Sequence, residues 1–425
     1  MVRETRGLMR DASRFIVGFG LVSMLMDVVY EGALSVQGPL LASLGASAAA
    51  VGLISGLGEA TSLAGRLVTG PLADRVGRYW LFAIVGYAIT ALAVPAMGWA
   101  GSVGAVGALI VVERLGKAVR TPSRDAMLSH ASAAVGRGKG FALHELMDQI
   151  GATLGPLIVS GILFVTGGAY DRALGVMILP AAAAIAVLAF LRHRNPDPAR
   201  FEEVAAGEDD GSCARKANGD ASGVAAGNGT ASAGDAPAAS GFRGLPRQFW
   251  EYSLFCGLCL VGVATFAVLS FHMVGAGVSD AAVPVLYAVA MLVDGVAALA
   301  TGSLYDRIGP KTLLALPVLS AFVPVFAFSG SVPVMVVGVV LWGATTGVQE
   351  STMRAYVADL LPTTMRATGY GSFALVTGIG TMLGGTIAGW LYSNAGAGAI
   401  IGFASIVEAV AFVSLLRQLR AARVR

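Results

Sequence analysis

Charge is scarce in this chain: 13% of its 425 residues are Asp, Glu, Lys or Arg, against 56% hydrophobic. That is too little charge to cover a water-soluble protein of this length, so much of the chain needs lipid as its solvent. Cysteine is nearly absent too. Cys213, Cys256 and Cys259 are too few for a disulfide-stapled fold. Cys256-Gly257-Leu258-Cys259 has the spacing of a redox or metal pair, but it lies inside an apolar run with no histidine beside it, and reads as two small apolar residues. No metal-ligand spacing, phosphate loop or nucleophile–base signature occurs, so neither an enzyme nor a metal or cofactor is expected. A net charge of +3 implies no basic face for nucleic acid.

What the chain has in abundance is long apolar runs. A bilayer crossing takes about 20 mostly apolar residues. Twelve such runs stand near 15–40, 48–72, 79–98, 103–122, 139–166, 172–191, 249–274, 282–304, 312–329, 332–358, 367–393 and 397–416. The expectation is an all-α integral membrane protein of two six-helix bundles, 15–192 and 249–417. A segment 1–14, a linker 193–248 and a tail 418–425 flank them. Within the linker, Glu208-Asp209-Asp210 and a run of Ala, Gly, Ser and Asn cannot bury a core, which points to a disordered tether. The basic residues before the first run suit a signal, but that run, from Phe15, is too long for a cleaved one and carries Asp27 and Glu31, so it reads as an uncleaved first helix.

Arginine and lysine sort by loop parity. Arg3, Arg6, Arg10 and Arg14 precede the first run, and Arg75, Arg78, Arg124, Arg137, Lys139, Arg192, Arg194, Arg307, Lys311, Arg366 and Arg417 follow even-numbered ones. The loops of opposite parity hold Arg172 alone. By the positive-inside rule both termini and the linker are cytoplasmic, and the composition suits a bacterial inner membrane.

One loop occurs twice. Gly70-Pro71-Leu72-Ala73-Asp74-Arg75-Val76-Gly77-Arg78 follows the second run, and Gly302-Ser303-Leu304-Tyr305-Asp306-Arg307-Ile308-Gly309-Pro310-Lys311 follows the eighth. Each half thus repeats the other, as secondary transporters do. Glycine at 70 and 77 permits a tight turn and close helix approach. Asp74 can cap a helix or pair with a basic residue across the halves. The loop, the helix count and the repeat offset together resemble the major facilitator superfamily, whose motif A has this pattern. The resemblance covers all but the linker. It implies two bundles rocking about a mid-membrane site, acting as a monomer on a small solute. Arg114-Leu115-Gly116-Lys117-Ala118 resembles that family's motif B, in which an arginine is linked to proton coupling; Ala118 and Arg120 stand where the family has glycines. Gly151, Gly155 and Pro156 resemble its antiporter motif C, but Val159 and Ser160 replace the paired glycines that follow, which leaves the direction of transport open.

An ionisable group at mid-bilayer costs roughly 2.5–3.5 kcal/mol on insertion scales. The first half nevertheless carries many ionisable groups in its runs: Asp27, about mid-depth, and Glu31 on helix one, Glu59 at the centre of helix two, Glu113, Lys117 and Arg120 at i, i+4, i+7 on helix four with Arg114 beside them, and His144, Glu145 and Asp148 in the cytoplasmic third of helix five. The second half has Asp294, Glu350, Arg354 and Glu408, and Phe255, Phe266, Phe271, Tyr287 and Trp342 offer aromatic surface. A proton-coupled carrier needs a carboxyl that loads and releases its proton in a dry pocket; Asp27 is the first candidate, with Arg114 as the competing base. The bland alternative is a static ion-pair network. The expected function is proton-coupled transport of a small organic solute, by antiport and efflux. The alternatives are proton symport of an organic anion, or a non-transporting sensor or scaffold.

Overall fold

The computed structural model describes residues 2–135, 137–198, 201, 244–361 and 365–424. Helices are α1 Val2–Ser43, α2 Ala48–Val76, α3 Tyr79–Trp99, α4 Val103–Val135, α5 Arg137–Thr166, α6 Tyr170–Gly175 and α7 Ile178–Arg194 in the first half. The second half has α8 Arg247–Gly262, α9 Phe266–Gly275, α10 Ala282–Ile308, α11 Ala315–Ala327, α12 Val332–Val348, α13 Arg354–Leu360, α14 Arg366–Ala395 and α15 Ala397–Val424. A short 3-10 turn, Gly309–Leu314, joins α10 to α11, and a π-helical turn, Gln349–Met353, joins α12 to α13. Most of the expected linker lies outside the described residues, and so does the side chain of Arg354.

Ten stretches of the described chain are long and apolar enough to cross a membrane. One of them, Ala282–Ala327, is 46 residues long and folds back at Gly309, so it makes two crossings. Charge on α4 keeps that helix out of the ten, yet it packs between α2, α3 and α1 like its neighbours. Twelve crossings result, and an even number puts both termini at one end, called here the terminal end.

Loop chemistry sets the helix limits. The Ser47 hydroxyl accepts from the Ala50 N–H at 3.2 Å and caps α2. Gly77 ends α2 in the left-handed region at φ 64°, its N–H bonded to the Ala73 carbonyl, and Gly309 takes the same φ after α10. Both repeated loops therefore need their last glycine. Pro284, Pro317 and Pro333 stand in the first turns of α10, α11 and α12, where a missing N–H costs nothing. Pro156 is interior to α5.

Three apolar clusters organise the interior. Phe15, Phe19, Trp80 and Leu188 centre one in the first half towards the terminal end, and Phe249, Tyr252, Phe255 and Leu415 centre its counterpart in the second half. The third cluster is shared: Val36, Leu40 and Val51 of the first half pack with Phe266, Leu269 and Tyr287 of the second, towards the far end. The halves are thus fused at the far end and carry separate cores at the terminal end.

Glycines let the helices meet backbone to backbone. A Cβ on Gly155 would strike the Val28 backbone, and one on Gly151 would strike the Met24 carbonyl and the Asp27 Cβ. The antiporter-like glycines of α5 are therefore the seat on which the Asp27 turn of α1 rests. Gly52, Gly56, Gly385 and Gly389 do the same between α2 and α14. Gly155→Leu is expected to cost at least about 1–3 kcal/mol by overpacking, because backbone cannot yield as a side chain can. Gly161→Ala on the same helix, where a Cβ meets nothing, is expected to leave stability unchanged. Thermal unfolding in detergent, compared between the two variants, checks this; equal midpoints would refute it.

Candidate functional site

The charged stripe of α4 faces α1, α2 and α5, and their polar groups converge on it. Arg114 is the hub. Its Nη2 lies 2.9 Å from Glu59 Oε1 and its Nε 3.5 Å from Glu113 Oε2. One turn on, Lys117 Nζ donates to the Tyr30 hydroxyl at 3.0 Å and lies 4.2 Å from the centre of that ring. The guanidinium carbons of Arg114 and Arg120 stand 5.7 and 5.3 Å from the centre of the same ring, so three cations gather about one aromatic ring. Arg120 also donates to Thr90 Oγ1 at 2.7 Å.

Towards the terminal end a second group forms around Asp148. Its Oδ2 lies 3.5 Å from Arg124 Nη1 and 3.3 Å from His144 Nδ1, while His144 Nε2 meets Ser23 Oγ at 2.9 Å. Arg124 also pairs with Asp125 at 2.9 Å. Glu145 is exposed beside this group.

Asp27 lies between the two groups. It is 6% exposed, yet it makes no hydrogen bond or ion pair with any described residue. The charges that act on it are those of Asp148, Glu31, Lys117 and Arg120. Glu59, Glu113 and Asp148 are each held by an arginine; Asp27 has no fixed partner. A carboxyl in that position is free to exchange partners, which an ion pair is not.

Opposite this layer the second half presents rings. Phe266, Tyr287 and Trp342 contact one another, with centroids 4.5, 5.4 and 6.2 Å apart. Tyr287 reaches across to donate its hydroxyl to Glu31 Oε2 at 2.5 Å. Phe255 belongs to the terminal-end core and Phe271 meets Tyr392 edge to face, so neither joins this wall. Other links between the halves lie farther out: Ser55 to Thr265 at 2.8 Å, Ser160 to the Ala281 carbonyl at 2.6 Å and the Ala49 N–H to Ser393 at 3.1 Å. Asp294 is buried on α10, near Gln149 of α5 and within the field of Glu350, Glu31 and Glu145.

The repeated loops behave differently from their sequence reading. Asp74 is exposed and accepts from the Tyr79 hydroxyl of its own half at 3.0 Å, so here it neither caps a helix nor bridges the halves. Gly70 packs on Pro122 of α4, as a close-approach glycine should. Arg75, Arg78, Asp306 and Arg307 are exposed, and the Tyr305 hydroxyl beside them donates to Asp359 at 2.7 Å.

Tyr30 and Ser23 escaped the sequence reading. Tyr30 stands between Asp27 and Glu31 on a helix already flagged for charge, but nothing local marks a tyrosine as a cation seat. The Tyr287–Glu31 bond spans the halves, and one sequence does not encode such a pairing legibly. Tyr287→Phe removes a bond that ties the halves at mid-depth. About 1 kcal/mol is expected to be lost from the state closed at the far end, a roughly fivefold shift in population. Accessibility of a cysteine placed at Ser55 to a water-soluble thiol reagent is expected to rise accordingly; no change would mean the bond does not hold the closure.

Comparison with known proteins agrees with the architecture. A sequence model described as Major Facilitator Superfamily matches residues 16–316 and 273–425. An uncharacterised protein of Mycobacterium tuberculosis is 48% identical over 383 residues, covering 90% of this chain and 87% of the relative. An uncharacterised MFS-type transporter of Methanocaldococcus jannaschii is 24% identical over 393 residues, covering 90% of this chain and 89% of its own. Among solved structures, a nucleoside transporter superposes with a TM-score of 0.68 at 13% identity, over 96% of this chain and 99% of that one. A D-xylose–proton symporter gives 0.66 at 12% identity, over 94% and 97%. At such identities the likeness speaks for the fold alone.

Proposed function

The chain belongs to the major facilitator superfamily, and from that premise we propose that it exports a small organic solute in exchange for protons. Membership makes it a multi-pass membrane transporter of a small solute rather than an enzyme. Coupling, direction and orientation are our reading. The observation that carries it is Asp27, a carboxyl buried in a layer of arginines and lysine with no partner of its own among the described residues. Such a group can carry a proton when the layer is dry and yield it when solute or water enters. Lys117 and Arg120 of α4, Asp148 of α5 and Glu31 of its own helix surround it, so small shifts of α4 or α5 against α1 change which charges it meets.

Alternating access follows from the packing. The shared apolar core and the Tyr287–Glu31 bond hold the far end shut. With arginines marking the cytoplasmic side, the terminal end faces the cytoplasm, and solute enters from there between the charge layer and the aromatic wall. Gly151 and Gly155 let α5 slide on α1 beside Asp27. The exposed Asp74–Arg75 and Asp306–Arg307 loops are placed to latch the terminal end in the opposite state.

A second reading, proton symport of an organic anion, has its own support. Arg114 Nη1 and Arg120 Nε are buried without a hydrogen-bond partner, donors that an anionic solute would satisfy. One experiment separates the two. Inside-out vesicles energised to an acid interior are challenged with a panel of small molecules while a pH-sensitive dye reports the lumen. Antiport predicts that a cationic or neutral solute discharges the gradient from outside. Symport predicts that an organic anion loaded in the lumen leaves together with protons. A panel that moves no protons in either format would overturn both.

A further inference from the structure

Glu408 is an acid of the second half that the transport reading does not use. Glu408, in the middle of α15, is 1% exposed. Both of its carboxyl oxygens are shut off from solvent, and neither has a hydrogen-bond partner of standard geometry among the described residues. The titratable group that faces it is the Cys259 thiol of α8, a weak donor. Among the described residues, the elements packed on α15, which are α8, α11, α14 and the 3-10 turn Gly309–Leu314, bring no charged side chain to it. Lys311 of that turn, and Arg247 and Glu251 at the start of α8, lie towards the terminal end, away from the carboxyl.

Its place in the fold is specific. Gly262, the last residue of α8, touches the carboxyl so closely that a Cβ there would overlap Glu408 Oε1. Beyond Gly262 the crossing is unwound through Val263, Ala264 and Thr265 before α9 begins. The carbonyls of Leu260, Val261 and Val263 turn towards Gly384 of α14, and the Ala264 carbonyl takes the Trp342 indole N–H at 3.1 Å. Glu408 therefore abuts a helix C-terminus, where the backbone presents partial negative charge. An ionised carboxylate without donors, at a helix C-terminus and in hydrocarbon, is unfavourable on every count. A neutral acid, which brings no charge into hydrocarbon or against the helix end, suits the same place. Broken helices with carboxyls at their half-helix ends are where transporters hold small cations.

We propose that Glu408 and the C-terminal end of α8 form a second proton-binding site, carried by the second half and able to exchange its proton with water. Thr265, at the edge of the same unwound stretch, bonds to Ser55 of the first half. Opening of the far end breaks that contact and wets the break, which gives the proton its way out. The inference does not depend on Asp27 being the coupling acid.

The test is infrared difference spectroscopy on the reconstituted protein, which needs no solute. Wild type minus Glu408→Gln, in sodium-free neutral buffer, is expected to contain a protonated-acid C=O band. On perfusion with deuterium oxide that band should shift downwards. Should Glu408→Gln fail to fold, Glu408→Asp in protein carrying isotope-labelled glutamate serves instead, since it removes one band from the labelled set. A band that never shifts means a sealed structural acid and overturns the proposal. Carboxylate bands in place of the acid band, or an acid band replaced by carboxylate when sodium is added, would assign the site to a metal cation and overturn it too. Asp27→Asn, run alongside, is expected to leave the Glu408 band in place, so failure of the transport reading cannot be mistaken for failure of this one.

Discussion

Asp27→Asn is expected to leave solute exchange across the membrane intact while abolishing accumulation driven by a pH gradient. The substitution keeps the shape and burial of the side chain and removes only its ability to hold a proton. Because Asp27 has no fixed partner, no buried charge is orphaned by the change, and folding should survive. One unit of pH gradient is worth about 1.4 kcal/mol per proton, a roughly tenfold solute ratio. In proteoliposomes the wild type should approach that ratio, and the variant should stop at equal concentrations on both sides. Counterflow, in which labelled solute exchanges for unlabelled solute without a gradient, should stay within about twofold of wild type, because the solute path is untouched. Loss of both activities would make Asp27 a structural or solute-binding group. Retention of both would move the proton elsewhere, to Asp294 or Glu31 first.

Arg114→Gln is expected to do the reverse and damage the fold. The guanidinium is 2% exposed and neutralises Glu59 and Glu113 at once. Removing it leaves two carboxylates facing each other across α2 and α4, and breaking a buried pair in this way costs about 3–5 kcal/mol. Arg114→Lys should rescue little, because a single ammonium cannot serve two carboxylates with a fork's geometry. Glu59→Gln added to Arg114→Gln should recover a large part of the loss, since one of the orphaned charges goes with it. Thermal unfolding of the single and double variants forms the cycle that checks this. Additive effects would mean that the 2.9 Å pair is not an energetic unit. The contrast between Asp27 and Arg114 is the core of the account: one charge is held in place, and the other is kept free.

How much of this was legible in the sequence depended on whether the cause was local. The crossings were, because bilayer thickness writes itself as run length. The ends of α1 and α4 were not: α1 begins at Val2 and α4 continues to Val135, since helices extend into the headgroup region where hydropathy no longer marks them. The charge stripe of α4 was visible as i, i+4, i+7 spacing. Its partition into held and free groups was not, because the Arg114–Glu59 and Arg124–Asp148 pairs join different helices. The gap between α8 and α9 has no proline, and its Val263, Ala264 and Thr265 would suit a helix; packing by Gly384, Trp342 and Glu408 opens it. Asp74 was read as a link between halves, and here it bonds to Tyr79 five residues on. A loop that latches in one state is released in the other, and the closed far end fits the released one.

The most direct test of proton coupling by a free buried carboxyl is to record solute and proton fluxes together in one proteoliposome preparation, across a range of imposed pH gradients. The account predicts that the two fluxes keep a fixed ratio in opposite directions, that net flux reverses when the gradient is reversed, and that Asp27→Asn uncouples them. Solute flux that proceeds at one rate whatever the gradient, with no accompanying protons, would contradict it.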